Sequence, residues 1–135
     1  MSIIPDVAVS GFVTVRSSTI DDRGLFATRR VRSGRTLVES PVLVLPSSHR
    51  AALCTTPIYE YTFKWELDYG ALALGAISFA NHSSRPSAFC YPDFERRTLV
   101  LVALKDIEMG QEVTIDYGEE IWFEDSQASR SSYAG

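Results

Sequence analysis

The sequence predicts a mainly β protein built from small sheets and short helices. Short aliphatic and β-branched runs recur along the chain, bounded by Gly, Pro or Ser, as is typical of strands. The run at residues 98–103 is apolar enough for a buried strand. A pattern of strand end, basic residue, β-branched anchor and Gly turn occurs at residues 27–37 and again at 103–113. This repetition indicates a compact β fold of paired turns.

Three strands are predicted in the first third of the chain. Residues 13–15, 36–38 and 42–45 are the aliphatic or β-branched runs. Pro41 and Pro46 bracket the third run. Because proline donates no ladder hydrogen bond, this run is expected to be an edge strand or an extended arm.

A short helix and a buried segment follow. Ser47 or Ser48 is expected to cap a helix through residues 50–53, which ends before the Thr-Thr-Pro sequence at 55–57. Residues 70–80 are apolar on all sides and rich in Gly and Ala, so they predict a buried strand followed by a turn of helix.

Four aromatic residues between these segments alternate with polar ones. Tyr59, Tyr61, Phe63 and Trp65 would share one face of a strand. Large aromatic side chains dominate burial, so this face is expected to be mostly core, with one ring available to a pocket.

Composition limits the class of protein. The chain has 135 residues, of which 45% are hydrophobic and 22% charged, as in an ordinary globular domain. We expect a single domain over residues 1–125 and a flexible tail over 126–135. The sequence has no membrane-length apolar run and no signal peptide, which favours an intracellular protein of the cytoplasm, nucleus or nucleoid. Cys54 and Cys90 are expected to be buried thiols in a reducing compartment.

Charge is distributed unevenly along the chain, which carries a net charge of −4. Arginines concentrate in the first half and carboxylates at the C-terminal end. The acidic end is a solvated face or a surface that attracts a cationic partner, and direct binding of nucleic acid is not expected. A homodimer that completes a site through apolar surface is a further expectation.

Two polar clusters flank the buried run at residues 98–103: Asn81-His82-Ser83 and Asp116-Tyr117-Gly118. Each alone fits a polar turn or a core tyrosine. Ser83, His82 and Asp116 would supply a hydrolytic triad, but the chain has no Gly-x-Ser-x-Gly motif. Its two histidines lack metal-site spacing, so no metal is expected.

The ordered series of motifs is more specific than either cluster. It comprises Arg23-Gly24-Leu25-Phe26-Ala27, Gly34, Asn81-His82-Ser83-Ser84-Arg85-Pro86, and residues 106–112 running into Asp116-Tyr117-Gly118. This series resembles the SET domain of protein lysine methyltransferases, especially the short stand-alone SET proteins, from about Val13 to Trp122. The sequence departs from the family pattern at Asp22, Ser40, Ser84 and Ser87.

The resemblance implies a SET-domain, β-clip-like fold of small sheets with a C-terminal pseudoknot that brings Asn81 and His82 to Tyr117. It also implies S-adenosylmethionine as cofactor and methyl transfer to a lysine of a basic protein or peptide, histone or non-histone. The alternative is a catalytically weak SET-like module that binds a peptide or partner. By the resemblance, Tyr117 is the catalytic residue; Arg23, Gly24, Leu25, Phe26, Asn81, His82 and Tyr117 bind the cofactor; and Tyr61, Phe79 and Trp122 line the substrate channel.

Overall fold

The computed structural model describes residues 11–117, and the mainly β class is confirmed there. One short α-helix and three 3-10 turns connect the strands of this part of the chain. The strands are β1 (Val13–Ser17), β2 (Arg23–Ala27), β3 (Thr36–Leu45), β4 (Thr62–Lys64), β5 (Gly70–Ala73), β6 (Asn81–His82), β7 (Ala88–Asp93), β8 (Thr98–Ala103) and β9 (Glu112–Ile115). The helix α1 is Ser47–Ala52, and the 3-10 turns are Pro57–Tyr61, Glu66–Asp68 and Ala76–Phe79.

The strands form two small sheets. One has the order β1-β2-β9-β6, in which β6 runs parallel to β9 and the other pairs are antiparallel. The other is antiparallel with the order β4-β5-β3-β8-β7. All six residues of β8 are buried, which confirms the predicted buried strand at residues 98–103.

The run at residues 42–45, predicted as an edge strand or an extended arm, is the second half of β3; among the described strands this half pairs with β5 alone, although β3 as a whole lies between β5 and β8. The first half of β3 pairs with β8 as far as Pro41, and the second half pairs with β5 from Val42 onward. Pro41 therefore lies where the strand changes partners. Its carbonyl accepts a hydrogen bond from Leu74 N–H at 2.8 Å. A proline is tolerated at this position because the ladder needs no donor there.

The prediction that the four aromatics share one strand face is wrong. Tyr59 and Tyr61 lie in the 3-10 turn that begins at Pro57, and only Phe63 belongs to a strand, the three-residue β4. Trp65 is 3% exposed, whereas Tyr61 is 47% exposed. Alternation cannot persist through a turn with three residues per revolution, so the rings point in different directions.

The helix at residues 47–52 and the strand and helical turn within residues 70–80 are confirmed. The N-cap of α1 is Pro46, however, and no side-chain hydrogen bond caps the helix. Cys90 is buried as predicted, and burial raises the pKa of its thiol to about 12. Cys54 is exposed, contrary to expectation, because it follows a helix with no buried residue.

The repeated turn pattern folds as two copies that pair with each other. Val31 and Ile107 exchange both backbone hydrogen bonds at 2.8 Å. Gly34 N–H donates to the carbonyl of Ala103, and Gly110 N–H donates to that of Ala27, each at 2.8 Å. Both glycines adopt positive φ, at 87° and 86°, where a side chain would be strained. The two copies are therefore related by a local twofold arrangement that brings β2 and β9 together.

Candidate functional site

A cleft of about 260 Å³ lies beside the β1-β2-β9-β6 sheet. It is bounded by the β1–β2 turn, two of the 3-10 turns and the end of β9. Aromatic rings and carboxylates dominate its lining, a combination that suits a cationic or amphipathic ligand. The lining residues are Asp21, Asp22, Arg23, Glu60, Tyr61, Phe63, Ser78, Phe79, Ala80, Asn81 and Tyr117.

Asn81 connects the cleft to the sheet. Its strand β6 pairs in parallel with β9 at Thr114, and the residue is 7% exposed. The side-chain Nδ2 donates to the backbone carbonyl of Arg23 and to Oε2 of Glu112, both at 2.9 Å. Because both neighbours are acceptors, the orientation of the amide is fixed by its surroundings. Asn81 thus holds the end of the β1–β2 turn against β9.

Glu112 is the second anchor of the turn, a role that no sequence pattern predicted. Its carboxylate accepts a hydrogen bond from Ser18 Oγ at 2.8 Å as well as the one from Asn81. A Cβ on Gly24 would lie 2.2 Å from Glu112 Oε2, so only glycine fits there without displacement of the carboxylate. Glu112, Asn81 and Ser18 form a compact polar cluster under the cleft, which we call the carboxylate clamp.

The turn held by the clamp has a tightly determined backbone. Ser18 N–H donates to the carbonyl of Asp22 at 3.1 Å, and Ile20 N–H donates to Ser18 Oγ at 2.9 Å. Asp22 has a φ of 23°, in the region that favours glycine. Aspartate is one of the few residues that visit positive φ. The structure therefore accommodates an aspartate at positive φ at this position, one of those where the sequence departs from the family pattern.

His82 fixes the backbone at the end of β9. Its Nδ1 accepts a hydrogen bond from the N–H of Tyr117 at 3.0 Å, so Nδ1 carries no proton in this arrangement. The nearest oxygen of Asp116 is 3.7 Å from the same nitrogen, beyond hydrogen-bonding distance. The rings of His82 and Tyr117 lie 5.2 Å apart at their centroids. The histidine therefore positions the backbone of Tyr117 by accepting its N–H hydrogen bond.

Tyr117 lies at the edge of the cleft with half of its surface exposed. Its hydroxyl donates to the carbonyl of Ala80 at 2.8 Å, which leaves the phenol oxygen's lone pairs available as acceptors. Burial, followed by the charges of Asp21, Tyr61 and Glu60, raises the pKa of the phenol above its ordinary value of 10.0. Tyr117 is consequently a neutral phenol near pH 7.

Two further departures from the family pattern are buried. Ser87 Oγ accepts a hydrogen bond from Thr114 N–H at 3.0 Å and donates to the carbonyl of Glu112 at 3.2 Å. Ser87 therefore ties the segment after β6 to β9. Ser40 is 2% exposed and lies against Gly75, where an added Cβ would come within 2.9 Å of its Oγ.

The structure brings most of the predicted site residues together. Five line the cleft: Arg23, Tyr61, Phe79, Asn81 and Tyr117. Gly24 touches the clamp, and His82 reaches the cleft only through Tyr117. Leu25 is fully buried in the core, and Phe26 lies under the guanidinium of Arg16, so neither lines the cleft. Trp122 lies outside the described residues, as do the predicted domain boundary at residue 125 and the tail.

Three carboxylates in the lining, Asp21, Asp22 and Glu60, were not predicted as site residues. They sit in turns, where acidic residues are common, so no sequence signal distinguished them from solvated charges. Within residues 11–117, no group of three or more His, Cys, Asp or Glu side chains is arranged to hold a metal ion. In the same range, no helix is long and apolar enough to cross a membrane.

Comparisons with known proteins agree on one family. The SET domain family model matches residues 22–118. A histone-lysine N-methyltransferase of Schizosaccharomyces pombe, described as specific for H3 lysine-37, is 30% identical over 118 residues, which cover 87% of this chain and 80% of the relative.

Solved structures show the same fold at lower identity. A Neurospora SET domain histone lysine methyltransferase superposes with a TM-score of 0.64 at 19% identity, covering 78% of this chain and 51% of that one. A chain of a humanized mutant of Chaetomium thermophilum Polycomb Repressive Complex 2 gives 0.70 at 17% identity, covering 84% of this chain and 15% of that one.

Proposed function

Because this chain belongs to the SET-domain family, we propose that it is a protein-lysine methyltransferase that uses S-adenosylmethionine to methylate a histone or another basic protein. The observation that carries the proposal is the convergence of the clamped β1–β2 turn, buried Asn81 and the Tyr117 hydroxyl on one cleft. The relative from Schizosaccharomyces pombe, named as a histone-lysine methyltransferase, supports the same activity.

The lining of the cleft fits this cofactor. When bound, S-adenosylmethionine supplies an electrophilic methyl group on a positively charged sulfonium. The rings of Tyr61, Phe79 and Tyr117 accommodate a cation on their faces, and Asp21 and Glu60 add negative charge beside them. The Arg23 segment and Asn81 are the groups that would hold the cofactor, and His82 would contribute through the backbone of Tyr117, from which it accepts a hydrogen bond.

Tyr117 has the properties that methyl transfer requires. An in-line displacement needs mainly alignment and electrostatic stabilisation. The hydroxyl of Tyr117 donates a hydrogen bond to the carbonyl of Ala80, and its backbone N–H donates one to His82. Both the ring and the main chain of the residue are therefore fixed. Its neutral oxygen can accept weak C–H···O contacts from a polarised methyl group.

The target lysine must be neutral to act as the nucleophile. With an ordinary pKa of about 10.4, losing its proton at neutral pH costs roughly 4–5 kcal/mol. Desolvation between aromatic rings lowers this cost, and we propose that the proton leaves through solvent. The carboxylates Asp21, Asp22 and Glu60 outnumber Arg23 in the lining, and their charge favours a basic substrate. We propose that this substrate is an intracellular protein of the nucleus or cytoplasm.

The decisive experiment is transfer of a radiolabelled methyl group to a panel of basic proteins that includes histones. We expect incorporation with the wild type and a loss of about 100-fold or more in Tyr117→Phe, since the phenol oxygen aligns the reacting groups. Tyr91→Phe, an exposed tyrosine on β7, is the matched control and should remain active.

Calorimetric titration with S-adenosylmethionine separates the enzyme from a binding module. Cofactor binding together with methyl transfer supports the proposal. Peptide binding without cofactor binding would instead identify the catalytically weak SET-like module.

A further inference from the structure

We propose that an exposed arginine surface along the β1–β2 hairpin binds the phosphate backbone of a nucleic-acid duplex. The surface consists of Arg16, Arg29 and Arg35 with the rings of Phe12 and Phe26, and we call it the arginine face. It lies outside the cleft and is independent of the proposed methyl transfer.

The rings hold the arginines in place. The guanidinium carbons of Arg29 and Arg35 each lie 5.1 Å from the centroid of the Phe12 ring, and that of Arg16 lies 4.6 Å from the centroid of Phe26. Phe12 is fixed in turn, because its carbonyl accepts a hydrogen bond from Thr28 N–H at 2.8 Å. A guanidinium over an aromatic ring keeps its N–H groups free to donate outward, so these charges are pre-arranged for an anion.

Within residues 11–117, no nearby carboxylate neutralises the charge of the arginine face. Arg30 pairs with Asp106 and Glu108, and Arg96 pairs with Glu39. Across residues 11–117, Arg16, Arg29 and Arg35 have no carboxylate within ion-pair distance, and each is exposed. Two guanidiniums on one ring repel each other, and this repulsion is relieved when a polyanion binds.

Arg29 and Arg35, which lie over the Phe12 ring, are at the end of the hairpin away from the acidic cleft, and Arg16, opposite Gly24, lies nearer the turn. Phe12 and Arg29 flank the Val13–Ala27 pair at the open end of the hairpin, whereas the turn that lines the cleft follows the Ser17–Arg23 pair at the other end. A protein with a net charge of −4 attracts a polyanion only where positive charge is segregated in this way.

The occupant that fits best is a duplex. The arginines are spread over β1 and the segments that follow β2 and precede β3. A regular row of phosphates can contact several such guanidiniums at once, each through two parallel hydrogen bonds. The expectation of no nucleic-acid binding rested on the acidic C-terminal end of the sequence, to which none of these three arginines belongs.

The test is fluorescence anisotropy of a labelled DNA duplex of about 20 base pairs, titrated with the full chain at several salt concentrations. We compare the wild type with Arg29→Ala/Arg35→Ala and with Arg96→Ala/Arg97→Ala. The second pair makes the same change in charge at the β7–β8 turn of the other sheet. Thermal unfolding and methyl transfer to a short basic peptide report whether each variant is folded with an intact cleft.

We expect salt-sensitive binding by the wild type and by the Arg96/Arg97 variant. Loss of Arg29 and Arg35 should lower the slope of log K against log salt by about 2 and weaken binding by about tenfold or more at low salt. Equal binding by both variants, or no wild-type binding, would overturn the proposal. It would also fail if polyglutamate bound through Arg29 and Arg35 while the duplex did not, which would identify an acidic protein as the partner. None of these outcomes depends on methyl transfer.

Discussion

The two copies of the repeated turn share a scaffold and differ in chemistry. Equivalent positions lie 76 residues apart, so Leu37 corresponds to Val113, and both are fully buried. One position earlier, Thr36 is exposed, whereas Glu112 belongs to the carboxylate clamp. The difference arises from the neighbours of the second copy, because β9 lies between β2 and β6 and β6 brings Asn81 to its side. The repeat thus determines the backbone arrangement of the two turns, whereas the neighbouring strands determine which polar contacts each copy makes.

The largest expected effect on kinetics comes from replacing Glu112, compared with replacing Thr36 at the equivalent position of the first copy. Glu112→Ala removes the acceptor of Ser18 and Asn81, and hydrogen bonds to a charged group contribute about 1.5–3 kcal/mol. We expect the KM for S-adenosylmethionine to rise by about 10- to 100-fold as the turn loosens. Thr36→Ala should leave it unchanged. Steady-state kinetics on both variants make the comparison, and equal effects would show that the clamp does not position the cofactor turn.

A smaller effect tests the shared scaffold. Gly34 and Gly110 have nearly the same positive φ, and an added Cβ would meet nothing within 4 Å at either position. Gly34→Ala and Gly110→Ala should therefore each lower the free energy of unfolding by about 1–2 kcal/mol, through backbone strain alone. Urea denaturation measures both. Gly11→Ala is the control, since it has open space without a positive φ. A large difference between the two turn variants would contradict their structural equivalence.

The smallest expected effect is the pH dependence of stability caused by the raised pKa of Tyr117, which follows β9. Because the pKa of Tyr117 is raised in the folded protein, the phenol favours the folded state fully below pH 10, and that contribution is lost as the pH rises above 10 towards the folded pKa. Ultraviolet titration of the wild type and Tyr117→Phe should show that the variant lacks a late-titrating tyrosine. A Tyr117 pKa near its ordinary value would show that burial and the nearby carboxylates do not raise the pKa of the phenol.

The sequence was informative where structure depends on nearby residues. The wholly apolar run became the buried strand β8, and the glycines at equivalent places became the two turns. It failed where a residue's environment depends on distant partners. The pattern around Pro41 gave no sign that β3 pairs with β8 on one half and β5 on the other. Alternation in the aromatic segment likewise did not reveal the 3-10 turn that divides it.

The sequence by itself determined the β class, the repeated turns and the family motifs around Asn81, His82 and Tyr117, because composition and short-range spacing encode each of them. Only the folded chain shows that Glu112 anchors the β1–β2 turn, since its partner Ser18 lies 94 residues away. It also placed Asp21 and Glu60 beside Tyr117 and put Leu25 in the core. Contacts across such separations depend on strand pairing and packing of the whole domain, which no local pattern reports.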